Sequence, residues 1–176
     1  MSGFMVRQFG DPVLKQKAAE VTNIDGDLVR VVETMFATMY SADGCGLAAP
    51  QVGILKRCFA FDLGDEPGVL LNPEVVECSG EVVFDEGCLS IKGIRLEIVR
   101  PEVVTVRGLD LDGSELVIEA DDYFARMLQH EIDHLDGILM LDRLDADARK
   151  VALRELRRRD ELAAVGSPAP GNPFGR

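Results

Sequence analysis

The chain has 176 residues, 47% of them apolar, and a formal net charge of −12. This is the size of one ordinary domain able to bury its own core, and the negative charge argues against nucleic-acid binding by the body of the protein. No stretch approaches the roughly 18 consecutive apolar residues of a membrane span, so no membrane partner is expected.

The opening MSGFMVRQFGDPVLKQ lacks a basic segment leading into an apolar run. It also lacks an Arg/Ser-rich transit character, and a cytoplasmic location is expected. Residues 27–40 read as a first helix, because Leu28, Val31, Val32, Met35, Phe36 and Met39 recur at helical spacing. Asp25-Gly26-Asp27 supplies the polar, turn-prone start. Residues 44–53 are too rich in glycine and proline for regular helix. Short β-like runs follow at 57–62, 68–71 and 81–84, then a clearer hairpin of 103–107 against 115–119 with Asp112-Gly113 near its turn.

A second helix is expected from about 122 to 136, begun by Asp121 or Asp122 and closed by Gly137. Phe124, Leu128, Ile132 and Leu135 share one of its faces, and Arg126, Gln129 and Asp133 form a narrow polar stripe elsewhere. A helix this apolar is mostly buried. A last helix spans about 145–165. Residues 166–176, with three prolines and three glycines, are expected to lack fixed structure. Strands lying between helices predict an α+β fold: antiparallel sheets packed around a central metal-binding helix, with an N-terminal and a C-terminal helix. Residues 1–165 then form one catalytic domain.

The second helix carries His130-Glu131-Ile132-Asp133-His134. Spacing of i, i+4 stacks both imidazoles on one face, where they can chelate one metal, and Glu131 lies roughly 100° round the helix beside them. These are the only two histidines in the chain. A catalytic site of this kind takes three protein ligands and leaves a position for water. The third ligand is therefore a cysteine or a carboxylate, either Cys88 or a residue of the last helix such as Glu155. The carboxylate alternative would make the chain a zinc endopeptidase. Cys88 follows a glycine in Asp85-Glu86-Gly87-Cys88-Leu89-Ser90, whereas Cys58 and Cys78 read as structural. The segment Gly44-Cys45-Gly46-Leu47-Ala48-Ala49-Pro50-Gln51 lets backbone come close to a ligand, and Gln51 adds an amide donor.

Taken together, these three segments resemble peptide deformylase, whose motifs run GxGLAAPQ, EGCLS and QHExDHLxG in that order. They stand here at residues 44–51, 86–90 and 129–137, and the likeness runs from about Val6 to the end of the last helix. Lys92 departs from the proline most often found there, which bears on loop shape and substrate preference. The resemblance implies a metal held by Cys88, His130 and His134, with iron(II) as the physiological ion and zinc, nickel or cobalt as substitutes. It implies Glu131 as general base, and the Gln51 amide and Leu89 N–H as oxyanion donors. An extended nascent formyl-methionyl peptide would lie along Gly44, Cys45 and Gly46 and opposite residues 89–91, with Met127 helping to form the methionine pocket. Between Arg149 and Arg159, six basic residues face Glu155 alone, a formal +5. This makes the last helix a candidate for a weak ribosome contact.

Overall fold

The computed structural model describes residues 3–64 and 67–166. Residues 167–176, most of the segment expected to lack fixed structure, lie outside the described residues. Helix α1 (Gly26–Ser41) starts where expected: the Asp25 carboxylate accepts hydrogen bonds from the Asp27 and Leu28 N–H groups at 3.1 and 2.9 Å. This satisfies two of the amides that a helix start leaves free. The glycine-rich segment forms a short strand β1 (Gly46–Ala48) and a 3-10 turn (Ala49–Val52). Strands β2 (Cys58–Phe61), β3 (Gly68–Ser79), β4 (Val82–Cys88), β5 (Ile91–Arg100), β6 (Val103–Leu109) and β7 (Glu115–Asp121) follow. Helix α2 (Asp122–Leu135), a 3-10 turn (Met140–Arg143) and helix α3 (Ala146–Gly166) complete the chain.

All strand pairs are antiparallel, in a five-stranded sheet of order β1-β2-β3-β6-β7 and a separate β4-β5 hairpin. Alternation along β2 shows why the larger sheet is covered on both faces. Phe59 joins Leu70, Val104, Val106, Leu128 and Leu135 beneath α2, while its neighbours Cys58 and Ala60 join Leu28, Met35 and Met39 of α1. Successive strand residues point to opposite faces, so Cys58, Phe59 and Ala60 form an unbroken buried run, with Phe61 half-buried at its end. A third cluster (Ile91, Ile98, Met140, Leu141, Ala152 and Leu156) fastens α3 to β5. Each such large side chain taken out of water contributes about 1.5–3 kcal/mol. Among the described residues, no helix is long and apolar enough to cross a membrane.

Four strands differ from expectation: β1 arises within the segment read only as non-helical, β4 runs on past 84 to Cys88, and β3 and β5 depart furthest. The run at 68–71 continues to Ser79, past Asn72-Pro73. Its ladder with β6 shifts register between Leu71 and Glu74, and Asn72 takes φ +49°. Proline is tolerated at such an irregularity because no ladder bond is asked of it there. Strand β5 was not expected at all, although Ile94 and Ile98 alternate with exposed Arg95, Glu97 and Val99 along its second half. The interruption is Gly93, at φ +83°. In α2, the polar stripe is not solvated: Gln129 and Asp133 are buried. The Gln129 amide donates to the carbonyls of Pro101 and Ala125, both at 3.0 Å.

Candidate metal centre and its cleft

The two-residue turn of the β4-β5 hairpin brings Cys88 beside α2. One ligand atom from each of Cys88, His130 and His134 lies within 4.8 Å of the others, and Cys88 Sγ stands 3.2 Å from His134 Nε2. Glu155 is not part of this group. It pairs with Arg158 and Arg159 of its own helix.

Each imidazole is set by its surroundings. His130 Nδ1 lies 3.0 Å from Glu86 Oε2, which leaves its Nε2 for the site. Burial works against a charge on His130, yet the hydrogen bonds of Cys88 and Glu86 outweigh it and raise its pKa well above the usual histidine value. His134 shifts the other way, lowered first by burial and then by the charge of His130. Burial would raise Glu86, but His130 and Arg100 hold it down to about 2.

Behind the histidines runs a chain of buried charges that sequence reading missed. Arg100 grips both Glu86 oxygens and donates to Asp133 Oδ2 at 2.9 Å, and Asp133 also pairs with Arg143. Glu86 sits in the EGCLS segment and Asp133 inside the histidine motif. Arg100 is the last residue of β5, and only recognition of that strand could have singled it out.

Glu131 is 4% exposed, and burial pushes its carboxyl up to about 7. A cation in the adjacent group would draw it back down. Its Oε1 rests against Gly46, where a Cβ would lie 2.5 Å away. Its Oε2 and the Nδ1 of His134 are buried without a hydrogen-bond partner. An oxygen is costly to bury alone, and a metal-held water would partner Glu131 Oε2, while His134 turns its Nε2 toward Cys88; one sulfur and two imidazoles are a donor set that suits such a metal. Gln51 is equally fixed: Oε1 accepts from the Ala48 N–H at 2.8 Å, while Nε2 donates to Ser90 Oγ at 3.2 Å and faces Cys88 Sγ at 3.7 Å. Gly46→Ala should displace the Glu131 carboxylate. About a hundredfold loss of kcat, with metal content unchanged, is the expected outcome; near-native turnover would show that the close packing is irrelevant.

These groups lie along a cleft of about 730 Å³. Gly44, Cys45, Gly46, Met127 and Leu89 line it, as do Gln51, Cys88, His130 and Glu131. Among the sequence-derived site residues, only His134 is not part of the wall; it sits behind, 1% exposed. Cys45 Sγ lies 2.9 Å from the Tyr123 hydroxyl. Tyr123 and Arg126, whose guanidinium stacks 4.1 Å over the Tyr123 ring, are wall residues that sequence reading did not assign.

The family model for polypeptide deformylase matches residues 4–150. The chain belongs to the polypeptide deformylase family. A deformylase of Clostridium acetobutylicum is 51% identical over 139 residues, covering 79% of this chain and 93% of the relative. One from Thermodesulfovibrio yellowstonii is 46% identical over 151 residues, covering 83% and 92%. The crystal structure of a deformylase from Legionella pneumophila superposes with a TM-score of 0.88 at 39% identity, covering 95% of this chain and all of that one. The expected α+β fold with antiparallel sheets is therefore the deformylase fold, and neither it nor the relatives favour the endopeptidase alternative.

Proposed function

We propose that this deformylase removes the formyl group from the N-terminal formyl-methionine of newly made proteins, releasing formate and a free amine. The observation that carries the reading is Glu131, buried with one unpartnered oxygen beside the Cys88, His130 and His134 group at the base of an open cleft. A binding module has no use for a base held there. Residues 1–165 form the catalytic domain in this reading.

Cys88, His130 and His134 hold the metal, iron(II) by family resemblance, with zinc, nickel or cobalt able to replace it. When bound, the ion supplies a Lewis acid that polarises the formyl carbonyl and acidifies water. Glu131 takes the proton of the attacking water and later passes it to the departing amine. The Gln51 amide, locked by Ala48 and Ser90, and the Leu89 N–H meet the negative oxygen that develops on the formyl group. The peptide lies extended, pairing with residues 44–46 on one side and 89–91 on the other, so main-chain bonds give affinity without demanding one sequence. Met127 lines the pocket for the methionine side chain. Anaerobic purification with metal analysis and a formate-release assay on formyl-Met-Ala-Ser tests the whole proposal; a metal-loaded protein that releases no formate overturns it.

Cys88→Ser exchanges a soft thiolate for a poor ligand. Metal retained after dialysis should fall or change in identity, whereas Cys45→Ser, Cys58→Ser and Cys78→Ser should keep it. Unchanged metal affinity in the Cys88 variant would remove that residue from the ligand set.

A cytoplasmic enzyme acting on nascent chains must find them, and α3 supplies the basic surface for a ribosome contact. Glu155 occupies Arg158 and Arg159, while Arg149, Lys150, Arg154 and Arg157 have no ion-pair partner among the described residues. Reversing Arg157, Arg158 and Arg159 to Glu should lower co-sedimentation with ribosomes at low salt and leave turnover of a short formyl peptide intact. Survival of binding in the triple variant would reduce the basic run to a solvated face.

A further inference from the structure

The hairpin that delivers Cys88 also builds a charged lip on the cleft. Between the pairs Glu86↔Leu96 and Cys88↔Ile91, strand β4 has one residue, Gly87, and strand β5 has four, Lys92 to Arg95. The surplus bulges outward. Gly93, at φ +83°, permits the bend, and a Cβ there would come within 2.9 Å of Arg159 Nη1 on α3. Any side chain at this position would therefore crowd that arginine.

The charges around this lip are unequal. Lys92 and Arg95 of the bulge and Arg126 of α2 line the cleft, together with the acids Asp43, Glu86 and Glu131. Glu86 is consumed by Arg100 and His130, and Glu131 is buried. Only Asp43 is an exposed acid of the lining. Arg95 is offset by Asp85. Arg126 lies over the Tyr123 and Phe84 rings and donates to the Asp85 carbonyl, without an acidic partner among the described residues. Lys92 is exposed and likewise has none. In a chain of net charge −12, a cleft mouth with two cations free of ion pairs, Lys92 and Arg126, against one exposed acid, Asp43, is a local reversal of field. Charge of one sign lining a cleft raises the local concentration of opposite charge and orients it.

We propose that Lys92, supported by Arg126, makes the cleft select peptides bearing acidic side chains directly after the formyl-methionine. This rests on the deformylase reading and adds to it a substrate preference set by the bulge. A peptide following β5 away from the base of the cleft passes Lys92, where a Glu carboxylate would gain a partner and a Lys ammonium would be repelled. The lip is open to water, so the discrimination is modest and screened by salt.

The test compares kcat/KM for formyl-Met-Glu-Ser and formyl-Met-Lys-Ser in low salt, with formyl-Met-Ala-Ser reporting separately whether deformylation occurs. The wild-type ratio of Glu to Lys peptide should be about fivefold or more, shrinking toward one as salt is raised. Lys92→Glu should invert it and Lys92→Gln should reduce it, the second variant serving if the first does not fold. Calorimetric binding of the unformylated peptides Met-Glu-Ser and Met-Lys-Ser reads the same preference without turnover. Failure of deformylation is thereby distinguished from failure of selectivity. A wild-type ratio of one, or a ratio that neither substitution moves, overturns the proposal.

Discussion

Glu131→Gln should retain the metal and lose kcat by several orders of magnitude. The amide fills nearly the same space between Gly46 and the histidines, so Cys88, His130 and His134 keep their arrangement. What disappears is a group able to accept a proton. General-base loss alone accounts for roughly 10²–10⁴ in rate, and an amide that donates where the carboxylate accepted adds further loss by misplacing the water. Formate release from formyl-Met-Ala-Ser, normalised to bound metal, checks this. Turnover within tenfold of wild type would remove Glu131 from the proton path.

The largest stability effect is expected at Arg100→Met. Arg100 and Glu86 are each 2% exposed, and Asp133 is 8% exposed. Methionine matches the stem but leaves two buried carboxylates short of their shared cation. Removing one partner from a buried ion network costs about 3–5 kcal/mol, which for a domain of this size lowers Tm by about 6–20 °C. Loss at the site should accompany it, since Glu86 would no longer be held to orient His130, and such supporting partners are worth about 10–100-fold in metal affinity. Arg100→Lys should rescue little, because a single ammonium cannot reproduce a planar fork that reaches Glu86 and Asp133 together. A variant with wild-type Tm and wild-type metal affinity would mean that the network is not supporting the histidines.

The site was far more legible in the sequence than its support. His130 and His134 announce themselves by spacing on one helix, and Cys88 and Gln51 by their short motifs, because the proposed chemistry would constrain residue type at each. Asp133 looked like one member of a polar stripe. Its role depends on Arg100 and Arg143 reaching it from β5 and the turn before α3, and no local pattern encodes such a meeting. Strand β5 escaped for a related reason: Gly93 and Lys92 break the alternation that Ile94 and Ile98 would otherwise have signalled. The break is the bulge at the cleft mouth, so local irregularity and site coincide there. Strand β3 departs in the opposite direction. The β-like run at 68–71 stops before Asn72-Pro73, but tertiary pairing with β6 carries the strand eight residues further, to Ser79.

The site is also assembled from distant parts of the chain. Gln51 and Cys88 are 37 residues apart, and Cys88 and His134 are 46 apart. Both histidines belong to α2, which follows every strand. During synthesis the cysteine emerges well before either imidazole, and an isolated hairpin bearing Cys88 has no means of completing a three-residue grip. The ion can therefore lock in only after the sheets have closed over α2. From then on, its binding energy becomes part of what keeps the chain folded, and stripping the metal should loosen the β4-β5 hairpin from α2 before the five-stranded sheet gives way.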